Sequence, residues 1–420
     1  MRRPSKNPSQ KLTAESQRLV TLAQGVVLSG SRIEARSWEN ALDAQTHKLL
    51  KNHHQAGIDH ALDHLFTIEP DGYDALMEAI EAGSESIVVE HDGQSFDALL
   101  IAAPILAWTR FAIASGPIAS DALATLSAHL QAHLLADGAR LAMAPMLYAI
   151  DQLPRTPADT YALTQRMALA ALKNDPVKVV ANVPETAPFL ADTRYLLGVV
   201  VVPVSAALFR WQASLDLRDR IQALEQWQAQ AMPNIVRLLP GCGIDLLLPQ
   251  AYYMACREAD RSIRPASIRA AVHYLTHTLD VLPDALQVVV GAFGEDTGEQ
   301  RIDEYRIGFM LAEDTDVIYG IVWPLYGAED AEQALQDSVD GIVDSVPAIA
   351  VLTGNQPPSP LDEIMTLLKE SGITKIRQHA ERFPMEFCDD CGAPLYADLD
   401  ADLVHAEMPD DTPQTSTHFH

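Results

Sequence analysis

Cys388 and Cys391 are the side chains whose types and spacing most directly specify chemistry in this sequence, within Phe387-Cys388-Asp389-Asp390-Cys391-Gly392-Ala393-Pro394-Leu395-Tyr396. A two-residue gap lets both thiolates reach one ion from a single turn, and zinc takes four soft or borderline donors in a tetrahedron. Gly392 supplies the φ freedom such a turn needs as backbone N–H groups approach the sulfurs. Leu395-Tyr396 then begins a strand, Asp398–Asp402 is a turn, and Leu403-Val404 returns. That return brings His405 back as a third ligand. His418 and His420 lie on one side of the extended segment His418-Phe419-His420, so either can complete the shell, with Glu407 as a weaker oxygen alternative. Four donors leave no place for a reactive water, so the expected role of the zinc is structural. A hairpin this small buries too little surface to fold alone, and a metal supplies the difference.

This local string resembles the first knuckle of zinc-ribbon proteins. The second Cys-x-x-Cys of a ribbon is absent, which leaves a ribbon that has lost its metal as an alternative. A redox dithiol is a further one. Against it, Asp389 and Asp390 stand between the sulfurs and are expected to raise the thiol pKa values, and Pro394 prevents a helix from following smoothly.

Other constellations are weaker. His60/His64, His129/His133 and His273/His277 each place two imidazoles one helical turn apart, a spacing that can bind metal, but none carries the glutamate of HExxH. Chance pairing within helices explains them better. Cys242 and Cys256 sit among apolar neighbours and read as small buried hydrophobes. Trp108, Trp211, Tyr252 and Tyr253 read as core. Asp314, Asp316, Glu329, Asp330 and Glu332 read as a solvated edge. Gly291–Gly298 reads as a hairpin loop with acidic flanks. There is no GxGxxG after a strand, no GxxxxGK[ST] and no GxSxG.

The elements that must position these residues divide the chain. Residues 1–12 read as a disordered tail and 13–83 as a helical region, with Thr13 and Ser31 as caps and Pro70-Asp71-Gly72 splitting two helices. Asp92-Gly93 joins two β-like runs, 86–91 and 94–105, as a hairpin. Strand and helix signals then suggest three related α/β modules over 84–175, 176–282 and 283–385, followed by a zinc-knuckle hairpin and tail over 386–420. Within them, strands are read at 177–182, 194–208, 286–293, 304–311 and 317–324, and helices at 265–279, 329–343 and 360–370. Prolines 104, 203 and 324 close apolar strands, and Gly138, Gly241 and Gly372 follow helices. The expected fold is α+β, with mixed or antiparallel sheets carrying helices on one face.

Composition bounds the rest. The chain has 420 residues, 48% of them hydrophobic, and a formal net charge of −27. That field repels phosphate backbones and anionic headgroups, so nucleic acid and membrane are unfavourable partners, and the basic N-terminal residues read as a solvated tail. No apolar run is long enough to span a bilayer, no signal-peptide core follows Met1, and four cysteines do not make a disulfide scaffold, so the expected compartment is the cytoplasm.

Ser29-Gly30-Ser31-Arg32-Ile33-Glu34, Trp38, the proline-ended strands, and the tail from Cys-Asp-Asp-Cys-Gly-Ala-Pro-Leu-Tyr to His405-Ala406-Glu407-Met408-Pro409 together resemble an uncharacterised beta-proteobacterial family, a domain of unknown function. The likeness covers nearly the whole chain. It implies a soluble bacterial protein and carries no activity or catalytic residue. The expected function is a non-enzymatic scaffold for a protein partner or small ligand. An enzyme, perhaps hydrolytic, with a pocket between modules is the alternative, and a nucleic-acid-associated regulator a weaker one.

Overall fold

The computed structural model describes residues 12–110, 112–178, 189–214, 217–295, 302–312, 314–326 and 359–408. They form two compact units, one from residues up to 107 with 114–186 and 193–260, the other from 108–113, 187–192 and 261 onward. The tail before Leu12, most of the strand expected at 177–182, the helix expected at 329–343, and His418 and His420 lie outside the described residues.

The first unit begins with four helices, α1 (Ala14–Val27), α2 (Arg32–Lys51), α3 (Gln55–Ile68) and α4 (Pro70–Glu85). Thr13 Oγ1 accepts from the Ser16 N–H at 3.1 Å and Ser31 Oγ from the Glu34 N–H at 3.2 Å, so both expected caps form. Pro70-Asp71-Gly72 is the first turn of α4 rather than a break before it, because proline is favoured where a helix N–H has no partner. The apolar stripes of these helices meet through Leu19, Leu49, Ile58, Leu65, Leu76 and Ile80. Ile33 is instead 85% exposed at the start of α2.

A seven-stranded sheet follows, comprising β1 (Ser86–His91), β2 (Gln94–Trp108), β3 (Gly116–Pro117), β4 (Arg140–Ala149), β5 (Ala191–Pro203), β6 (Gly243–Leu246) and β7 (Gln250–Ala251). Its order is β1-β2-β5-β4-β3, with β6 and β7 beside β2. β1 and β2 pair antiparallel with His91 opposite Gln94, and Asp92 and Gly93 both take positive φ (48° and 75°), as a type I′ turn requires. Alternation along β2 sends Leu100 and Ala102 into the core beneath α6 (Pro157–Lys173). It sends Ile101 and Ala103 to the other face, against Leu130 of α5 (Ser120–His133) and Trp227 of α7 (Leu217–Leu238). The larger sheet thus carries helices on both faces.

Prolines act as expected at Pro203 and Pro324, the last residues of their strands. Pro104 does not end its strand: β2 runs on to Trp108, and the Pro104 carbonyl accepts from the Leu247 N–H at 2.9 Å. Pro145 sits in a bulge of β4, between the pairs Met143–Gly198 and Leu147–Leu196. Gly138, Gly241 and Gly372 share a left-handed φ of 81–88°.

Helix α8 (Tyr252–Thr278) starts well before the expected position at Pro265. Pro265 lacks the N–H that would bond the Arg261 carbonyl, and Arg264 Nε donates to that carbonyl instead at 3.2 Å, so the helix continues through the proline.

The second unit holds a four-stranded sheet of β8 (Leu286–Gly294), β9 (Glu304–Leu311), β10 (Tyr319–Pro324) and β11 (Lys375–Pro384), in the order β10-β9-β8-β11. The first three pair antiparallel; β11 joins β8 in parallel. β11 carries no apolar alternation, and its Lys375-Ile376-Arg377-Gln378-His379-Ala380-Glu381-Arg382 pattern suits an edge that must not pair further. Gly291 lies within β8, not in a loop. One face of the sheet, with Val288, Val290, Ile307, Phe309 and Ile321, packs on the second half of α8 and on α9 (Pro360–Glu370). The other face, with Val289, Phe293 and Met310, is covered by the C-terminal hairpin.

Candidate metal centre

The hairpin is built from β12 (Tyr396–Ala397) and β13 (Leu403–Val404), paired antiparallel, with the knuckle ahead of it. Phe387 bridges to Pro394, and Leu395 N–H reaches the Glu386 carbonyl at 3.2 Å. Between them the Cys388 N–H bonds the Ala393 carbonyl at 2.7 Å, and the Gly392 N–H bonds the Cys388 carbonyl at 2.8 Å. Gly392 takes φ +74°, the left-handed conformation that closes such a turn. At the far end, Asp398 Oδ1 accepts from the N–H groups of Asp400 and Asp402, both at 2.9 Å, so the expected turn is held by an aspartate side chain.

This folding brings His405 back to the two cysteines of the knuckle, 14 positions after Cys391. The ligand atoms of Cys388, Cys391 and His405 all lie within 4.8 Å of one another. Cys391 Sγ and His405 Nε2 are 3.2 Å apart. Bond lengths to zinc of about 2.3 Å for sulfur and about 2.0 Å for nitrogen put tetrahedral ligand atoms roughly 3.5–3.8 Å apart, so the three donors fit one ion with small adjustment. The other ring nitrogen, Nδ1, is buried. Glu407 Oε1 lies 3.2 Å from it as an ion-pair contact, but off the line of a hydrogen bond, so Nδ1 has no hydrogen-bond partner. Glu407 is exposed and its carboxylate is free to turn toward the ring. It contacts the nitrogen of His405 that faces away from Cys391, the place where a carboxylate can orient a metal-binding imidazole.

The Cys388 thiol is shifted down, not up. Backbone N–H groups of Cys391 and Asp390 and the Cys391 thiol point at its sulfur, and the charge of Asp390 only opposes them in part. Expecting the aspartates to dominate counted charges and overlooked the turn's own dipoles.

The seat beneath the hairpin is not among the sites the sequence motifs point to. Arg306 of β9 is buried, paired to Glu304 at 2.8 Å, and donates through Nη1 to the carbonyls of Glu386 and Leu395, both at 2.6 Å. Those two carbonyls belong to the base of the knuckle, so one guanidinium pins it to the sheet. Its Cζ lies 4.3 Å from the centre of the Phe293 ring and 5.0 Å from that of Phe387. Gly308 and Gly320 stand directly opposite each other in β9 and β10. A Cβ at Gly320 would collide with the Tyr396 ring, and one at Gly308 would come within 3.6 Å of the Ala397 carbonyl. The signal for this seat was present: Glu304 and Arg306 share one face of an otherwise apolar strand, and a glycine inside a strand often marks a close backbone approach.

A family model described as "Protein of unknown function (DUF2863)" matches residues 4–419. The chain belongs to that family. No curated protein and no solved structure matches it. The expected likeness to a domain of unknown function is thus shown over nearly the whole chain.

The remaining sequence candidates fall elsewhere. Among the described residues, none of the histidine pairs gathers with a third ligand; His129/His133 and His273/His277 have rings stacked at 6.3 Å and 5.7 Å. All four cysteines are free. Burial raises the Cys256 thiol to about 12 and pushes Cys242 up as well, which suits apolar filler. Tyr253 is core-like but polar, its hydroxyl bonding Ser84 and Thr160. Among the described residues, no helix is long and apolar enough to cross a membrane.

Proposed function

We propose that residues 386–420 form a zinc-stabilised hairpin. Cys388, Cys391 and His405 hold the ion, and His418 or His420 completes the shell. The chain as a whole is a non-enzymatic, cytosolic bacterial scaffold that uses this hairpin to present a surface to a protein partner or small ligand. The observation that carries the metal reading is the convergence of two thiols and one imidazole at the tip of a turn whose backbone N–H groups already favour thiolate. The scaffold reading is supported by the way the hairpin is seated: it covers one face of the second sheet and is held there by Arg306, so a metal-braced knuckle presents a fixed surface. Zinc at this place supplies cross-linking: it ties the knuckle to His405, the residue that follows β13.

Cobalt(II) titration of the full-length protein tests the site. The expected result is an intense thiolate-to-cobalt charge-transfer band with visible bands of tetrahedral shape, abolished in Cys388→Ser/Cys391→Ser and weakened in His405→Ala. A His418→Ala/His420→Ala variant is expected to shift the visible bands while keeping the charge-transfer band. Spectra identical to free cobalt would refute metal binding, and an unchanged visible spectrum in the last variant would remove the tail histidines from the shell.

A further inference from the structure

We propose that Cys388 and Cys391 are also an oxidation site, at which a hydroperoxide closes the two thiols into a disulfide and expels the metal. The disulfide rests on the geometry of the pair alone; the expulsion rests on the metal reading above.

Four cysteines are available and they are not equivalent. Cys256 is half-buried against the core of the first unit, beside Tyr252 and Asp260, and its thiol is pushed to about 12, chiefly by desolvation. Cys242 is shifted the same way by burial. A peroxide reacts with thiolates it can reach, so these two are protected. Cys391 is exposed, and its sulfur lies within 4.8 Å of the Cys388 sulfur. The residue that follows them is unobstructed: a Cβ at Gly392 would meet nothing within 4 Å. An accessible thiol with a second one poised beside it is the arrangement in which a sulfenic acid is resolved before it oxidises further.

The chemistry balances with peroxide as the only oxidant. The Cys391 sulfur attacks one peroxide oxygen, the O–O bond breaks, and hydroxide leaves and takes a proton to become water. Cys391 is then a sulfenic acid. The Cys388 sulfur attacks it, the S–S bond forms, the S–O bond breaks, and a second hydroxide leaves as water. Two electrons pass from the sulfur pair to the peroxide, and two protons are consumed if both sulfurs begin as thiolates. A disulfide is a poor ligand, so the ion loses both sulfur donors together, and one histidine does not hold it. Arg306 on the Glu386 and Leu395 carbonyls, and Tyr396 over Gly320, keep the hairpin seated meanwhile. Oxidation therefore loosens the knuckle without unfolding the second unit.

The test uses full-length, zinc-loaded protein treated with one equivalent of hydrogen peroxide. Released metal is followed with a chromophoric chelator, and thiol state by alkylation and peptide mass mapping. The expected result is release of the bound metal, loss of two hydrogens' mass from the peptide containing Cys388 and Cys391, intact thiols at Cys242 and Cys256, and rebinding of zinc after reduction. In Cys388→Ser the reaction stops at the sulfenic acid, which a cyclic dione captures on Cys391. Metal held with both thiols still alkylatable, or oxidation of Cys242 or Cys256 first, overturns the proposal and leaves the metal site standing. A disulfide forming in protein that never held metal upholds the oxidation site and refutes the metal reading instead.

Discussion

At the scale of single residues, two sulfurs and an imidazole set the chemistry, and the side chains behind them set its strength. Glu407 contacts the ring nitrogen of His405 that faces away from Cys391. Losing an outer carboxylate of this kind typically weakens metal affinity about 10–100-fold. Glu407→Gln is therefore expected to lower zinc affinity by roughly tenfold in competition with a chelating indicator, with the stoichiometry unchanged; unchanged affinity would make Glu407 a bystander. Arg306 acts on the other side of the knuckle. Arg306→Met strands Glu304 without its cation in the interior, and breaking a buried pair from one side costs about 3–5 kcal/mol. Thermal denaturation should show that loss, and Glu304→Gln/Arg306→Met should recover part of it. The Cys-x-x-Cys was legible because its two cysteines lie only three positions apart and are chemically unambiguous. Arg306 was not legible as part of the site, because its partners are backbone carbonyls of residues 80 and 89 positions away, and carbonyls leave no mark in a sequence.

Elements explain why the hairpin sits where it does. Gly308 opposite Gly320 makes a flat patch on the second sheet, and Tyr396 lies on it. Gly320→Ala is expected to destabilise the second unit by about 1–3 kcal/mol, the usual cost of overpacking, and to raise hydrogen exchange in 394–404. A control substitution at an exposed position should do neither. Another element-scale tie is in the first unit, where Glu85 at the end of α4 accepts from the Tyr253 N–H in the first turn of α8, at 2.8 Å. Burial, more than the neighbouring Glu81, raises Glu85 to about 7, while the hydrogen bond and Arg257 oppose the rise. The folded state thus holds a proton that the unfolded chain releases near pH 4.5. The stabilising contribution of protonated Glu85 is fully present below about 4.5 and is lost as pH rises through about 7. Glu85→Gln should flatten the stability profile between pH 5 and 8, read from denaturant midpoints; an unaltered slope would place the dependence in another group. Local signals carried most of the element map. Thr13, Ser31 and Asp92-Gly93 each specify their turn or cap through contacts within four residues. β11 escaped because an edge strand is charged by necessity, and the start of α8 escaped because Pro265 reads as a beginning when Arg264 has removed its cost.

At the scale of the whole molecule, the chain is strongly acidic and α+β, and the proposed clasp belongs to its second unit. The net charge of −27 draws cations toward the surface and repels phosphate chains. Removing the metal with a chelator should leave the two cores folded, since Leu19, Leu49, Val199, Phe309 and Trp323 are buried independently of the knuckle. Far-ultraviolet circular dichroism should barely change, while protease sensitivity rises near residues 387–395. The most direct measurement is elemental analysis of the purified full-length protein beside Cys388→Ser/Cys391→Ser. The account predicts about one zinc per chain in the first and none in the second, with both folded. Metal-free protein whose knuckle is as protected from exchange as its neighbouring strands would contradict it.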